Sequence, residues 1–215
     1  MMKVCVIGAN GQIGRKLVNM LHESEEYTVR AMVRKEEQAE DLREQGIEAV
    51  VADLEGTAAE LAEAVSGCDA IIFTAGSGSH TGADKTLLVD LDGAVKSMEA
   101  AEQADVKRYI MVSALQAHHR ENWNEKIRHY YVAKHYADRV LMDSNLTYTI
   151  VRSGRLTNEP GTGKVAVAEN LPRASITRED VAKTVFHCLK YENTYRRGFD
   201  LIQGEEPIIE ALNKL

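Results

Sequence analysis

The chain lacks any run of apolar residues approaching the roughly 18 needed to cross a bilayer, which excludes a membrane-spanning helix. It also lacks a basic surplus: 26 Lys and Arg stand against 33 Asp and Glu, a net charge of −7. A general nucleic-acid binder needs that surplus to offset phosphate charge, so this class is set aside. No basic, apolar leader of the secretory type is expected, because the chain runs directly into a strand-like segment. Only three cysteines occur, Cys5, Cys68 and Cys188, widely spaced and each inside an apolar segment. Free buried thiols in a reducing compartment fit that usage, and the expected location is the cytoplasm. The expected partner is a small-molecule substrate, with no nucleic acid and no membrane, and the chain is expected to act as a monomer or homodimer.

What is present is regular. At 215 residues, with 44% apolar and 27% charged, the chain suits one soluble domain. Strand-like runs near 3–7, 28–33, 47–51, 69–74, 107–112, 147–152 and 199–202 alternate with helical patterns near 12–23, 36–45, 58–66, 84–104, 126–144, 179–190 and 206–214. The strands are Val/Ile-rich runs rather than alternating ones, as expected when helices cover both faces of a parallel sheet. The expected fold is therefore α/β, a doubly wound parallel sheet with right-handed crossovers. The stretch 153–178 breaks the rhythm with Gly154, Pro160, Gly161, Gly163 and Pro172 and one short strand at Val165–Val167. It is expected to form a small C-terminal substrate lobe on the single domain, together with a polar loop at 116–126.

The apolar run Val4 to Ile7 ends on Gly8-Ala9-Asn10-Gly11-Gln12-Ile13-Gly14-Arg15, and Leu17, Val18, Met20 and Leu21 then recur with helical period. Strand, glycine turn and helix together present backbone N–H groups to a pyrophosphate, and the helix N-terminus adds a partial positive charge. Gly8 permits the turn, Gly11 lets the backbone approach the phosphates, and Gly14 lets the helix pack against the strand. The position about 20 residues past this loop reads the adenosine ribose, and an acid there favours NAD. Here it holds Arg34, followed by Lys35. A guanidinium pairs with a 2′-phosphate and stacks on adenine, so NADP is expected in preference to NAD, with Arg15 as a second cation. The plainer alternative is that Arg34 and Lys35 begin a solvated helix. Asp53-Leu54 closes the third strand, where the carboxylate can meet the adenine amino group and the leucine can cover the ring. Ala75-Gly76 closes the fourth, where small residues let the backbone run along the cofactor. The loop Gly76-Ser77-Gly78-Ser79-His80 suits a flap or a plain surface loop equally.

Tyr130 and Lys134 stand at i and i+4 in a helical pattern and share one face. A lysine cation beside a phenol favours phenolate, so the tyrosine is expected to titrate below its ordinary value near 10. That would let it exchange a proton with a hydroxyl or carbonyl at neutral pH. Ser113 ends the fifth strand at the carboxyl edge, where open α/β sheets bind ligands, and its hydroxyl could meet the same substrate oxygen.

Taken together, Gly8-x-x-Gly11-x-x-Gly14, Arg34, Asp53-Leu54, Ala75-Gly76, Ser113 and Tyr130-x-x-x-Lys134 resemble the short-chain dehydrogenase/reductase superfamily over nearly the whole chain. The glycine motif is that of its extended members, yet the chain is far shorter. It resembles the atypical NAD(P)-binding Rossmann proteins of the NmrA-like and epimerase/dehydratase groups, as do Arg152-Ser153-Gly154-Arg155-Leu156 and Ile176-Thr177-Arg178-Glu179-Asp180-Val181-Ala182. The resemblance implies an NADP-dependent oxidoreductase or epimerase-like enzyme working on a small carbonyl or hydroxyl substrate. Tyr130 would be the acid/base, Lys134 would also bind the nicotinamide ribose, and Ser113 would position the substrate oxygen. The fourth catalytic residue of that family is an Asn, and Asp90 stands at its position. Asp90 would either hold the water of the proton relay or pair with Lys134. A non-catalytic NADP(H)-binding regulator or redox sensor is the alternative. His118, His119, His129 and His135 lack metal-ligand spacing, and no metal is expected. Trp123 either walls a substrate pocket or anchors its loop, and Tyr131 is expected to pack.

Overall fold

The computed structural model describes residues 1–78 and 81–215. Its main sheet has nine strands: β1 (Met2–Ile7), β2 (Tyr27–Val33), β3 (Glu48–Val51), β4 (Ala70–Phe73), β5 (Arg108–Ala114), β6 (Thr147–Ser153), β8 (Lys164–Ala168), β10 (Arg197–Gln203) and β11 (Glu206–Pro207). Their order is β11-β8-β10-β6-β5-β4-β1-β2-β3. From β3 to β10 every pairing is parallel, and β8 and β11 close one edge antiparallel. The order reverses direction between β1 and β4, the place where a doubly wound sheet opens a crevice at its carboxyl edge.

Among the described residues, eight α-helices complete the frame: α1 (Gln12–His22), α2 (Glu36–Glu44), α3 (Ala58–Val65), α4 (Ala83–Lys85), α5 (Ala94–Gln103), α6 (Arg128–Asp143), α7 (Arg178–Cys188) and α8 (Ile208–Leu212). They cover the sheet from both sides. Ile13, Leu17, Val18 and Leu21 of α1 recur at helical spacing and join α7 and α8 in one core layer, with Val4, Val6, Ile110 and Val112 of the strands. The opposite layer takes the alternate strand residues Cys5, Ile7, Met111 and Ile150, packed under α3, α5 and α6.

Three sequence expectations change in detail. The helix expected over 84–104 is interrupted, because Thr86–Gly93 winds as a π-helix between α4 and α5. Such wide turns cost hydrogen-bond geometry and concentrate at functional sites. This one carries Asp90. The 153–178 stretch is divided between two sheets. β7 (Arg155–Thr157) and β9 (Ser175–Thr177) pair parallel with each other, while β8 joins the main sheet beside β10. The expected helix over 206–214 is β11 followed by the short α8.

Candidate active site

Gly8 and Gly14 make the turn after β1 possible. Gly8 has φ of +85°, and a Cβ there would lie 2.7 Å from the Ala75 nitrogen. A Cβ on Gly14 would lie 2.2 Å from the Gly8 carbonyl oxygen, so α1 can start this close to β1 only on glycine. Gly11 is the N-cap of α1, and no side chain caps the helix. The amides of Gln12, Ile13 and Gly14 find no acceptor among the described residues, which leaves a row of N–H donors at the positive end of the helix dipole.

These donors stand beside a cleft of about 380 Å³ running across the carboxyl ends of β1 to β4. Gly8, Asn10, Gly11, Arg34, Asp53, Leu54, Ala75 and Gly76, all expected from the sequence to meet a cofactor, line it together. Arg34 is exposed and is the cation of this lining with no carboxylate partner among the described residues, since Lys85 pairs with Glu55 at 2.7 Å. Gln12, Ile13, Gly14, Arg15, Lys35 and Lys134, expected contributors as well, are outside this lining. The Arg15 guanidinium donates to the carbonyl and Oδ1 of Asn10, both at 3.1 Å through Nε. Lys35 is outside the lining, and its amide donates to Gln38 Oε1 at 3.3 Å. Gln38, Thr74, Thr81 and Lys85 line the cleft without having been singled out in the sequence, because no spacing rule ties such polar residues to the glycine loop, and Ser77 of the 76–80 loop joins them. Of the glycine-serine loop Gly76-Ser77-Gly78-Ser79-His80, Ser79 and His80 lie outside the described residues.

From the cleft a chain of contacts runs into the protein. The Ser77 amide donates to Asp90 Oδ2 at 3.0 Å, and Asp90 Oδ1 lies 3.8 Å from Lys134 Nζ. Asp90 is 1% exposed and Lys134 3%, so this is a buried ion pair. Lys134 Nζ also donates to the Val112 carbonyl at 3.2 Å and stands 5.8 Å from the centre of the Tyr130 ring. Asp90 thus pairs with Lys134, one of the two roles open to it from the sequence. Burial alone would lower the Lys134 pKa, but Tyr130, Asp90 and Asp138 together hold it above the ordinary lysine value.

Tyr130 departs from expectation. Burial of its phenol raises its pKa above the ordinary value, and the Lys134 cation opposes that shift without reversing it. The sequence reading weighed the cation and could not see the desolvation. Ser113 also departs from its expected place. Its Oγ is buried without a hydrogen-bond partner, and the residue is absent from the cavity beside Tyr130. Ser153 of β6 lines that cavity instead, and its hydroxyl donates to the Ser113 carbonyl at 3.4 Å. β5 and β6 are in register at Ala114 and Ser153, a pairing that sequence spacing does not reveal.

The second cavity, of about 610 Å³, is bounded by Ala114 and Leu115, by Tyr130 and Tyr131 of α6, by Ser153 to Leu156, and by 173–175 with Arg178. Trp123 anchors the preceding loop: its indole N–H donates to the Ala117 carbonyl at 3.1 Å, and its ring stacks on Tyr131 at 6.1 Å. Tyr131 is buried as expected, and its hydroxyl accepts from Arg173 at 3.0 Å. Among the described residues, no helix is long and apolar enough to cross a membrane, and no group of three or more His, Cys, Asp or Glu is placed to hold a metal.

A doubly wound sheet with a glycine turn, a donor row and an open cleft at its switch point defines a Rossmann-type dinucleotide-binding protein. The chain belongs to the NAD(P)H-binding family, whose model matches residues 8–192. It is 62% identical over its full length to the Bacillus subtilis protein named "uncharacterized sugar epimerase YhfK", of which it also covers 100%. Among solved structures it is similar to a Bacillus halodurans protein, with 43% identity, full coverage of both chains and a TM-score of 0.93. It is also similar to the oxidoreductase ylbE of Lactococcus lactis, with 34% identity, coverage of 100% of this chain and 96% of that one, and a TM-score of 0.90.

Proposed function

We propose that the protein is an NADP-dependent oxidoreductase or epimerase-like enzyme that acts on a small carbonyl or hydroxyl substrate, with Tyr130 as its acid/base. The observation that carries this reading is the line of contacts from Ser77 in the cofactor cleft through Asp90 and Lys134 to Tyr130 in the second cavity. Lys134, His135 and Asp138 of α6 are buried, each with a polar partner: Asp90, the Ala117 carbonyl and Arg152.

The residues present fit the cofactor. The uncapped amides at the start of α1 suit a pyrophosphate, Leu54 suits the adenine ring, and Arg34 suits a 2′-phosphate. When bound, the nicotinamide supplies or accepts a hydride. The chain does the rest. Tyr130 holds a proton on its hydroxyl oxygen at neutral pH, ready to give it to a carbonyl oxygen as charge develops there. Lys134, fixed by Asp90 and the Val112 carbonyl, stabilises the phenolate left behind.

A second reading, an NADP(H)-binding regulator without turnover, is favoured by one observation: the Ser113 hydroxyl is buried away from the cavity. Fluorescence titration with NADPH and NADH, followed by NADPH oxidation against aldehydes, ketones and quinones, separates the two. Preferential NADPH binding with turnover is expected of the enzyme. Equal affinity for both cofactors removes the NADP assignment, and binding without turnover of any substrate favours the regulator.

A further inference from the structure

The second cavity carries a charge that the acid/base reading does not use. Arg155, Arg173 and Arg178 all line it, and no carboxylate does. They arrive from separate segments: Arg155 opens β7, Arg173 lies in the loop before β9, and Arg178 opens α7. The pairing of β7 with β9 sets Arg155 opposite Ser175 and brings these segments to one wall.

None of the three guanidiniums is paired with an acid among the described residues. Arg173 donates to the Tyr131 hydroxyl at 3.0 Å and to the Asn122 carbonyl, and Arg178 donates to Asn158 Oδ1 at 2.8 Å. These partners are neutral. They orient the groups and leave their charge intact. The neighbouring acids are committed elsewhere: Glu179 to the Gly161 amide and to Lys183, and Asp180 to the amides of Thr162 and Gly163. In a chain of net charge −7, three uncompensated cations around one cavity run against the overall field. Their mutual repulsion is relieved by an anion, and the planar guanidinium fork matches an oxyanion.

We infer that the substrate is an anion: a carbonyl or hydroxyl compound whose carboxylate or phosphate is held by Arg155, Arg173 and Arg178 while its reacting oxygen faces Tyr130. The assignment rests on the reading of Tyr130 as the acid/base.

The test uses the full chain with NADPH added. Calorimetry compares benzoate, phenyl phosphate and the neutral benzamide as probes. At least one of the two anions is expected to bind tenfold or more tightly than benzamide, and the better of them shows whether a carboxylate or a phosphate is preferred. Arg155→Gln is the cleanest variant, because the Arg155 side chain holds no other element in place, and Arg178→Gln is the second. Each is expected to weaken the anion about tenfold while leaving benzamide and NADPH affinity as they were. Equal binding of anions and benzamide, or anion affinity that survives both substitutions together, overturns the inference. For turnover, 4-carboxybenzaldehyde is compared with its methyl ester, with a tenfold higher kcat/KM expected for the acid. Equal rates retain the Tyr130 reading and remove the anionic substrate. Arginine-dependent anion binding with no turnover of either aldehyde retains the anion site and removes the catalytic reading.

Discussion

The cofactor cleft and the second cavity lie along the same carboxyl edge of the sheet but are built in different ways. The phosphate side of the cleft is built from backbone and small residues, Gly8 and Gly11 after β1 and Ala75 and Gly76 after β4. The second cavity is lined by large side chains from separate segments, Tyr130, Tyr131, Arg155, Arg173 and Arg178. A backbone-built site depends on steric permission, so its damage comes from adding atoms. A side-chain-built site depends on particular functional groups, so its damage comes from removing them.

The largest effect that would sharpen this contrast is on the side-chain site. Tyr130→Phe removes one oxygen and keeps the ring, so NADPH affinity and folding should hold. Single-turnover hydride transfer should fall roughly 10²- to 10⁴-fold, the usual contribution of a positioned general acid. An unchanged rate would reduce Tyr130 to a packing residue and turn the reading toward the regulator.

The cleft should answer to added bulk, and differently at two glycines. A Cβ on Gly11 meets only the Gly8 carbonyl, at 3.2 Å, and its φ of −70° suits any residue. Gly11→Val should fold, with a Tm close to the parent's, and lose NADPH binding as the branched side chain fills the phosphate approach. Gly14→Val instead drives into backbone atoms at 2.2 and 2.9 Å, so the loss is one of stability, about 1–3 kcal/mol or more by thermal or denaturant unfolding. Full NADPH affinity in a folded Gly11→Val protein would break the comparison, because the loop would then be only a turn.

Arg34 is the exception in the cleft, a side chain on which the proposed preference for NADP rests. Arg34→Ala removes a charge-assisted pair with the 2′-phosphate, roughly 1.5–3 kcal/mol or about 10- to 150-fold in NADPH affinity. NADH affinity should hardly move, and parallel titrations of the two cofactors check the difference.

The smallest effect is in pH. Burial holds the Tyr130 pKa above its ordinary value, so the phenol stays protonated throughout the neutral range. Reduction, which consumes that proton, should therefore be flat in rate from about pH 6 to 9 and decline only beyond the ordinary tyrosine value near 10. A tyrosine shifted downward by Lys134 would instead lose reductive rate within the neutral range. A stopped-flow pH profile of the hydride-transfer step distinguishes the two.

How much of this was legible beforehand follows from the same contrast. Gly8, Gly11 and Gly14 announce their turn because a steric requirement at fixed spacing leaves a trace in a linear chain. Tyr130 and Lys134 were visible as a helical pair for the same reason. What surrounds them was not visible. The desolvation that raises the Tyr130 pKa, the burial of Ser113 and the presence of Ser153 in the cavity depend on which strands neighbour one another. The π-helix that carries Asp90 into contact with Lys134 has no spacing signature in 84–104.

The sequence by itself determined the alternation of strands and helices, the glycine turn after β1 and the candidate proton donor, because each arises from local periodicity or from a single residue's steric limits. Only the tertiary structure decided that Asp90 pairs with Lys134, that β8 joins the main sheet, and that three arginines from separate elements line one cavity without an acid among its described lining. Charge compensation and desolvation are properties of neighbours in space. The register of β5 on β6 and of β7 on β9, rather than the order of residues, sets who those neighbours are.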